Sequence, residues 1–132
     1  DCDAQDVCTV CQNPDIIDIG AFSTVVEQWN GTLDTGDRTY GNVNSYYFEA
    51  YRFVAGVTGY YSFDLSSTQM DAYLELRDGA CQLTLQDDDS GTGTNATLST
   101  LLPAGDVFFI VTTTAGALQT GDYTLDAFVL GL

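Results

Sequence analysis

The chain has 132 residues, with sixteen Asp and three Glu against three Arg, and it contains no Lys and no His. Its formal charge of −16 would repel phosphate backbones and anionic lipid surfaces, which argues against binding to nucleic acid. The absence of His removes the most frequent general base and zinc ligand. No run of residues is long and apolar enough to predict membrane insertion.

The first extended segment is predicted at 15–22, and the stretch 22–29 is where we expect a helical turn. Period-two alternation then predicts four strands, at 46–54, 60–65, 72–77 and 81–86. The strand at 60–65 shows the pattern most clearly, because its alternate residues Tyr61, Phe63 and Leu65 share one face.

A polar loop is predicted at 87–95, followed by a strand at 96–101 and a turn at 103–105. Residues 107–113 are apolar on both faces, which is typical of a central buried strand, and 122–129 alternate again. Seven or eight short strands with turns between them predict an all-β fold, an antiparallel β-sandwich or jelly roll.

Four cysteines lie at Cys2, Cys8, Cys11 and Cys81. The chain begins at Asp1 rather than Met, which we interpret as a processed N-terminus, and we therefore expect a secreted protein with oxidised cysteines. Three pairings are possible, and each one joins Cys81 to an N-terminal cysteine. A zinc site at Cys8-x-x-Cys11 is the alternative, but a second close-spaced pair is missing.

This cysteine pattern divides the chain into two parts. Residues 1–22 are predicted to be a disulfide-stapled N-terminal segment that acts as an assembly arm, and 23–132 to be a single β-sandwich domain.

From residue 46 onward a series of short motifs follows in a fixed order. They are Tyr47-Phe48 with Tyr51-Arg52-Phe53, Gly59 to Leu65, Asp71 to Asp78, Asp87-Asp88-Asp89, Leu102 to Val111 and Thr120 to Leu125. This order resembles the bacterial pre-peptidase C-terminal domain, a β-sandwich appended to many secreted proteases. The resemblance implies a non-catalytic module that often binds calcium and sometimes binds polymers such as collagen or glycans.

The acidic run after the strand at 81–86 is the strongest chemical signal. Three consecutive carboxylates repel one another unless they are solvated or bridged by a cation, and calcium takes six to eight oxygen ligands. We predict a calcium site at this run, with further oxygens from the residues that open and close the preceding strand; a solvated acidic loop is the alternative. The predicted ligands are Asp87, Asp88, Asp89, Asp71 and Asp78.

Two other residue classes are candidates for surface roles. Asn30 and Asn95 each begin an N-glycosylation triplet, so glycans could be accepted there. Exposed aromatic side chains can stack on sugars or collagen, although packing in the core or at its rim is the simpler role. The aromatic residues expected to face outward are Trp29, Tyr40, Tyr46, Tyr60 and Tyr73.

Without His or Lys no ordinary activated nucleophile can be assembled, so we predict that the protein is not an enzyme. The leading hypothesis is a structural subunit of an extracellular assembly or filament. Self-association would use the N-terminal arm, with residues near 15–22 adding a strand to a neighbour's sheet. The alternative is an accessory module of a secreted hydrolase system that binds an extracellular polysaccharide or protein polymer.

Overall fold

The structure, a computed structural model, describes residues 11, 16–22, 26–34, 38–40, 46–87, 95–114 and 119–131. In these ranges the chain forms ten β-strands. They are β1 (Ile17–Phe22), β2 (Val26–Leu33), β3 (Arg38–Tyr40), β4 (Tyr46–Ala55), β5 (Gly59–Ser66), β6 (Ala72–Asp78), β7 (Leu83–Asp87), β8 (Ala96–Leu102), β9 (Val107–Thr114) and β10 (Gly121–Gly131).

The strands form two sheets. One has the order β1-β4-β9-β6-β7, with β3 also paired to β4, and the other has the order β2-β10-β5-β8. All neighbouring strands are antiparallel except β1 and β4, which are parallel. The predicted all-β sandwich is confirmed, with more strands than the seven or eight expected.

The core between the sheets follows the alternation that the sequence predicted. Tyr61, Phe63 and Leu65 of β5 are buried, and the other sheet contributes Phe53 and Ile110. Strand β9 lies between β4 and β6, and both of its faces are buried, as predicted for a central strand. The largest side chains with almost no exposure are Tyr51, Tyr61, Phe53, Phe63, Leu33, Leu65, Leu74, Leu76, Ile110, Leu125 and Val111.

A second apolar cluster lies on the outer face of the six-stranded sheet. It contains Phe48 and Ala50 of β4, Phe109 and Val111 of β9, and the two half-cystines Cys11 and Cys81. The Cys11–Cys81 disulfide joins residues 70 positions apart, which confirms the predicted staple and identifies this pair. Cys2 and Cys8 lie outside the described residues.

The predicted helical turn at 22–29 is wrong for its second half, because Val26–Leu33 is strand β2. Its eight residues pair with β10, from Leu33↔Gly121 to Val26↔Phe128. Leu33 is buried in the core, and Trp29 packs against it. A long-range partner strand therefore overrides the weak local signal. Residues 23–25 lie outside the described ranges.

Candidate functional site

Two of the predicted calcium ligands lie at the same end of the six-stranded sheet. Asp71 immediately precedes β6, and Asp87 ends β7 opposite Leu74. The Oδ1 atom of Asp71 is buried and has no hydrogen-bond partner among the described residues. Oδ2 of Asp87 accepts a hydrogen bond of 2.9 Å from the backbone N–H of Thr97. A buried carboxylate oxygen without a donor is costly unless a cation or a proton compensates it.

Asp78 does not belong with these two residues. It lies at the other end of β6, so about 20 Å of extended chain separate it from Asp71. Its Oδ1 atom accepts hydrogen bonds from the backbone N–H groups of Ala80 and Gln82, at 2.9 and 3.0 Å. Asp78 therefore closes the β6–β7 turn, in which Cys81 has a φ of 65°.

Asp88 and Asp89 lie outside the described residues, and in the part that is described no three acidic, Cys or His side chains form a group suited to a metal ion. Asp71 is chemically suited to a hard cation, since it offers an unpartnered carboxylate oxygen. Calcium remains a prediction.

A polar cleft of about 510 Å³ lies at one end of the four-stranded sheet. The threonine hydroxyls along its sides bond across β2 and β10: Thr32 donates to Oδ1 of Asp122 at 2.6 Å, and Thr124 donates to Oδ1 of Asn30 at 2.9 Å. The cleft is thus built from short side chains that hold one another in place. The described residues that line it are Asn30, Gly31, Thr32, Ser66, Ser67, Thr68, Asn95, Asp122, Tyr123 and Thr124.

Both predicted glycosylation residues line this cleft. Asn30 is exposed on β2, whereas Asn95 is half-buried before β8 and accepts a hydrogen bond of 3.2 Å from the backbone N–H of Ser67. No local pattern indicated that these two triplets, so far apart in the chain, meet at one site. Whether glycans are attached to either residue stays a prediction.

Beneath the cleft, Gly31 leaves room for the ring of Tyr123. A Cβ atom at position 31 would lie 2.4 Å from Cζ of Tyr123, which is closer than Cβ atoms come to other atoms in real structures. The Tyr123 hydroxyl donates to Glu49 and is also hydrogen-bonded to the Tyr51 hydroxyl. Burial raises the pKa of Tyr51 to about 12 and raises that of Tyr123 further.

The aromatic residues expected to face outward divide into three groups. Tyr60 is 52% exposed, as predicted. Trp29 is half-buried, with its ring centroid 6.1 Å from that of Tyr51, and the hydroxyl of Tyr73, also half-buried, donates to Gln86. The side chains of Tyr40 and Tyr46 lie outside what the structure describes.

A buried ion pair was not anticipated. Glu75 and Arg77 are only 6% exposed, and Nε of Arg77 donates to Oε1 of Glu75 at 2.8 Å. Nη1 of Arg77 also donates to the carbonyl oxygen of Cys81 at 3.2 Å. Alternation placed both charges on the face opposite Leu74 and Leu76, and that face is covered by the disulfide cluster rather than by solvent.

No protein-family model and no curated protein matches the sequence. Among solved structures, the chain is similar to the pre-peptidase C-terminal domain of Bacillus anthracis collagenase. The two are 12% identical, with 85% of this chain and 93% of that one aligned at a TM-score of 0.62. The predicted resemblance is confirmed as a shared fold.

Two further structures share this fold. A periplasmic inhibitor of g-type lysozyme from Aeromonas hydrophila is 13% identical, with 88% of this chain and 98% of that one aligned at a TM-score of 0.59. The Yersinia pseudotuberculosis-derived mitogen is 16% identical, with 80% and 86% coverage and a TM-score of 0.55. At these identities the likeness concerns architecture, which supports many functions.

Proposed function

We propose that the protein is a non-catalytic structural subunit of an extracellular or periplasmic assembly, and that copies associate edge to edge through the six-stranded sheet. The single observation that carries this proposal is the character of the two outer strands of that sheet. Among the described strands, β1 and β7 each have a neighbour on one side only along the sheet order. Unpaired strand edges are templates for another strand.

Both edge strands combine exposed apolar side chains with little net charge. Ile17 of β1 is 37% exposed, and Leu83 of β7 is 46% exposed. The Asp18 carboxylate of β1 is balanced by Arg52 at 3.3 Å, and the four residues from Leu83 to Gln86 are uncharged. Neither strand contains Pro or Lys, the residues that usually protect sheet edges. Although the whole chain has a charge of −16, these two edges are therefore only weakly protected against pairing with another strand.

The direction of the strands suits association between copies. Since β4 and β6 are both antiparallel to β9, they run the same way; β1 is parallel to β4, and β7 is antiparallel to β6. The β7 edge of one copy would therefore meet the β1 edge of the next as an antiparallel pair. Because these are two different surfaces, the contact is heterologous and propagates into a filament unless it closes into a ring.

This proposal changes the role expected for the N-terminal segment. Residues 17–22 were predicted to reach a neighbour's sheet, but they pair in parallel with β4 of their own chain. They would contribute their outer edge to the next copy. The Cys11–Cys81 disulfide, which indicates an oxidising compartment, ties Cys11 to the β6–β7 turn of the same sheet. In the described part of the chain there is no helix that could cross a membrane.

Matched leucine variants test the assembly. Leu83→Lys places a charge on the β7 edge, and Leu101→Lys places the same charge on an equally exposed leucine (48%) of the four-stranded sheet. Light scattering after size-exclusion chromatography should show that Leu83→Lys abolishes oligomers of the natural chain and that Leu101→Lys preserves them. Equal behaviour of the two variants, or a natural chain that stays monomeric, would contradict the proposal.

Calcium binding is a second part of the proposal. The buried, unpartnered Oδ1 atom of Asp71 supports it, together with the acidic run that begins at Asp87 at the same end of the sheet. A bound cation would also reduce the repulsion between copies of so acidic a chain.

A further inference from the structure

The polar cleft at the end of the four-stranded sheet presents hydrogen-bonding groups that the fold itself leaves unused. Oδ1 of Asn30 accepts from Thr124, and Oδ1 of Asn95 accepts from Ser67, so each amide keeps its NH₂ group for another partner. Oδ1 of Asp122 accepts from Thr32, which leaves Oδ2 as an acceptor. In the described part of the chain, these two donors and one acceptor line one cleft.

The combination matches a particular ligand chemistry. A sugar hydroxyl both donates and accepts hydrogen bonds, so a carboxylate oxygen beside amide NH₂ groups can bind two adjacent hydroxyls at once. The volume of about 510 Å³ lies within the range of small-ligand sites and suits one or two sugar rings.

The charge of the protein selects among sugars. Asp122 is the one carboxylate among the described lining residues, and the whole chain carries −16, so uronic acids and sulfated sugars would be repelled. A single carboxylate is also a poor calcium site, because that ion takes six to eight oxygen ligands. A neutral polyhydroxyl ligand is favoured over both.

We infer that this cleft binds a neutral hexose unit of an extracellular polysaccharide, with Asp122 accepting from ligand hydroxyls and the amides of Asn30 and Asn95 donating to them. The inference uses different residues from the sheet edges, so it does not depend on the assembly role. A monomeric protein that binds sugar would refute the assembly and leave the cleft site standing.

Strand β10 supplies a matched pair of variants. Asp122 is exposed and Asp126 is half-buried, and both face outward. Each accepts one hydrogen bond from β2: Asp122 from Thr32 at 2.6 Å and Asp126 from Gln28 at 2.8 Å. Only Asp122 lines the cleft. Asp122→Asn and Asp126→Asn both preserve the bond from β2 and remove one charge, so they should melt at similar temperatures.

The probes are soluble oligosaccharides of glucose, mannose, galactose and N-acetylglucosamine, with an oligoglucuronate as the charged comparison. Isothermal titration should show binding of at least one neutral probe and none of the oligoglucuronate. Loss of one charge-assisted hydrogen bond should weaken binding of that probe about tenfold or more in Asp122→Asn, with Asp126→Asn unchanged. Thr68→Ala, at the rim, should reduce affinity less.

Three results would overturn the inference. The first is no binding of any neutral probe at the highest soluble concentration. The second is equal weakening by the Asp122 and Asp126 variants, which would show a general effect of surface charge. The third is an intact mass showing that Asn30 or Asn95 already carries a covalent glycan, because that glycan would occupy the cleft in place of a free ligand.

Discussion

Replacing Gly31 by Ala perturbs the most tightly packed point beneath the cleft. The added Cβ atom would lie 2.4 Å from both Cζ and the hydroxyl oxygen of Tyr123 and 2.8 Å from its Cε2 atom. Tyr123 cannot easily yield, because it is 3% exposed and its hydroxyl is hydrogen-bonded to both Glu49 and Tyr51. Something in this group must move.

The size of the effect follows from three contributions. Overpacking a core by one methyl group costs about 1–3 kcal/mol, and a lost buried hydrogen bond adds about 1 kcal/mol. The lower chain entropy of unfolded Ala offsets about 0.5–1 kcal/mol. Gly31→Ala should therefore lower the free energy of unfolding by about 1–3 kcal/mol and Tm by about 3–10 °C.

Chemical denaturation measures this directly, and Gly79→Ala is the matched control. A Cβ atom there would lie 3.5 Å from the carbonyl oxygen of Val107, an ordinary contact, so the change should stay within about 0.5 kcal/mol. In a Tyr123→Leu background, which removes the crowding ring, Gly31→Ala should cost much less. Equal stabilities of the Gly31 and Gly79 variants would refute the packing argument.

Two further predictions concern ionisation and calcium. Because folding raises the pKa of Tyr51 from 10.0 to about 12, the folded state favours the neutral phenol; its contribution is complete below pH 10 and should be lost as the pH rises towards 12. Tyr51 by itself should lower the free energy of unfolding over this interval by up to about 2–3 kcal/mol, so the fall should be less steep in Tyr51→Phe; an unchanged slope in that variant would exclude Tyr51 as a source. For calcium, chelation should lower Tm of the natural chain, whereas Asp71→Asn should raise Tm without calcium, by removing a carboxylate that has one buried, unpartnered oxygen, and should abolish the response to chelator. Asp78→Asn, a turn residue, should keep that response; an unchanged natural melt on chelation would leave the solvated acidic loop as the better account.

Sequence patterns predicted those strands whose own consecutive residues show a strand pattern, either alternating or apolar on both faces. Strand β5 was predicted from the alternation of Tyr61, Phe63 and Leu65, and β9 from its doubly apolar run. Strand β2 was missed because Asn30-Gly31-Thr32 interrupts its apolar pattern. Its partner β10 lies about ninety residues further along the chain, so no local signal reports their pairing.

The candidate sites show the same limit. In the sequence, Asp71 and Asp78 lie at the two ends of strand β6. Because the strand is extended, its ends are far apart in space, so closeness in the sequence was misleading. The burial of Glu75 and Arg77 depends on the disulfide-linked cluster, which alternation within β6 does not report. The cleft joins β2, β10, the β5–β6 connection and Asn95. Only the folded arrangement brings these segments together.

The most direct test of edge-to-edge assembly is sedimentation velocity of the purified natural chain over a range of protein concentrations, at low and at physiological ionic strength, with and without calcium. Charge repulsion should hold the chain monomeric at low salt, and screening to a Debye length of about 8 Å should permit association. We predict open-ended growth of the sedimenting species with concentration, and fibres in negative-stain images of the same samples. A single monomeric species under every condition would contradict the account.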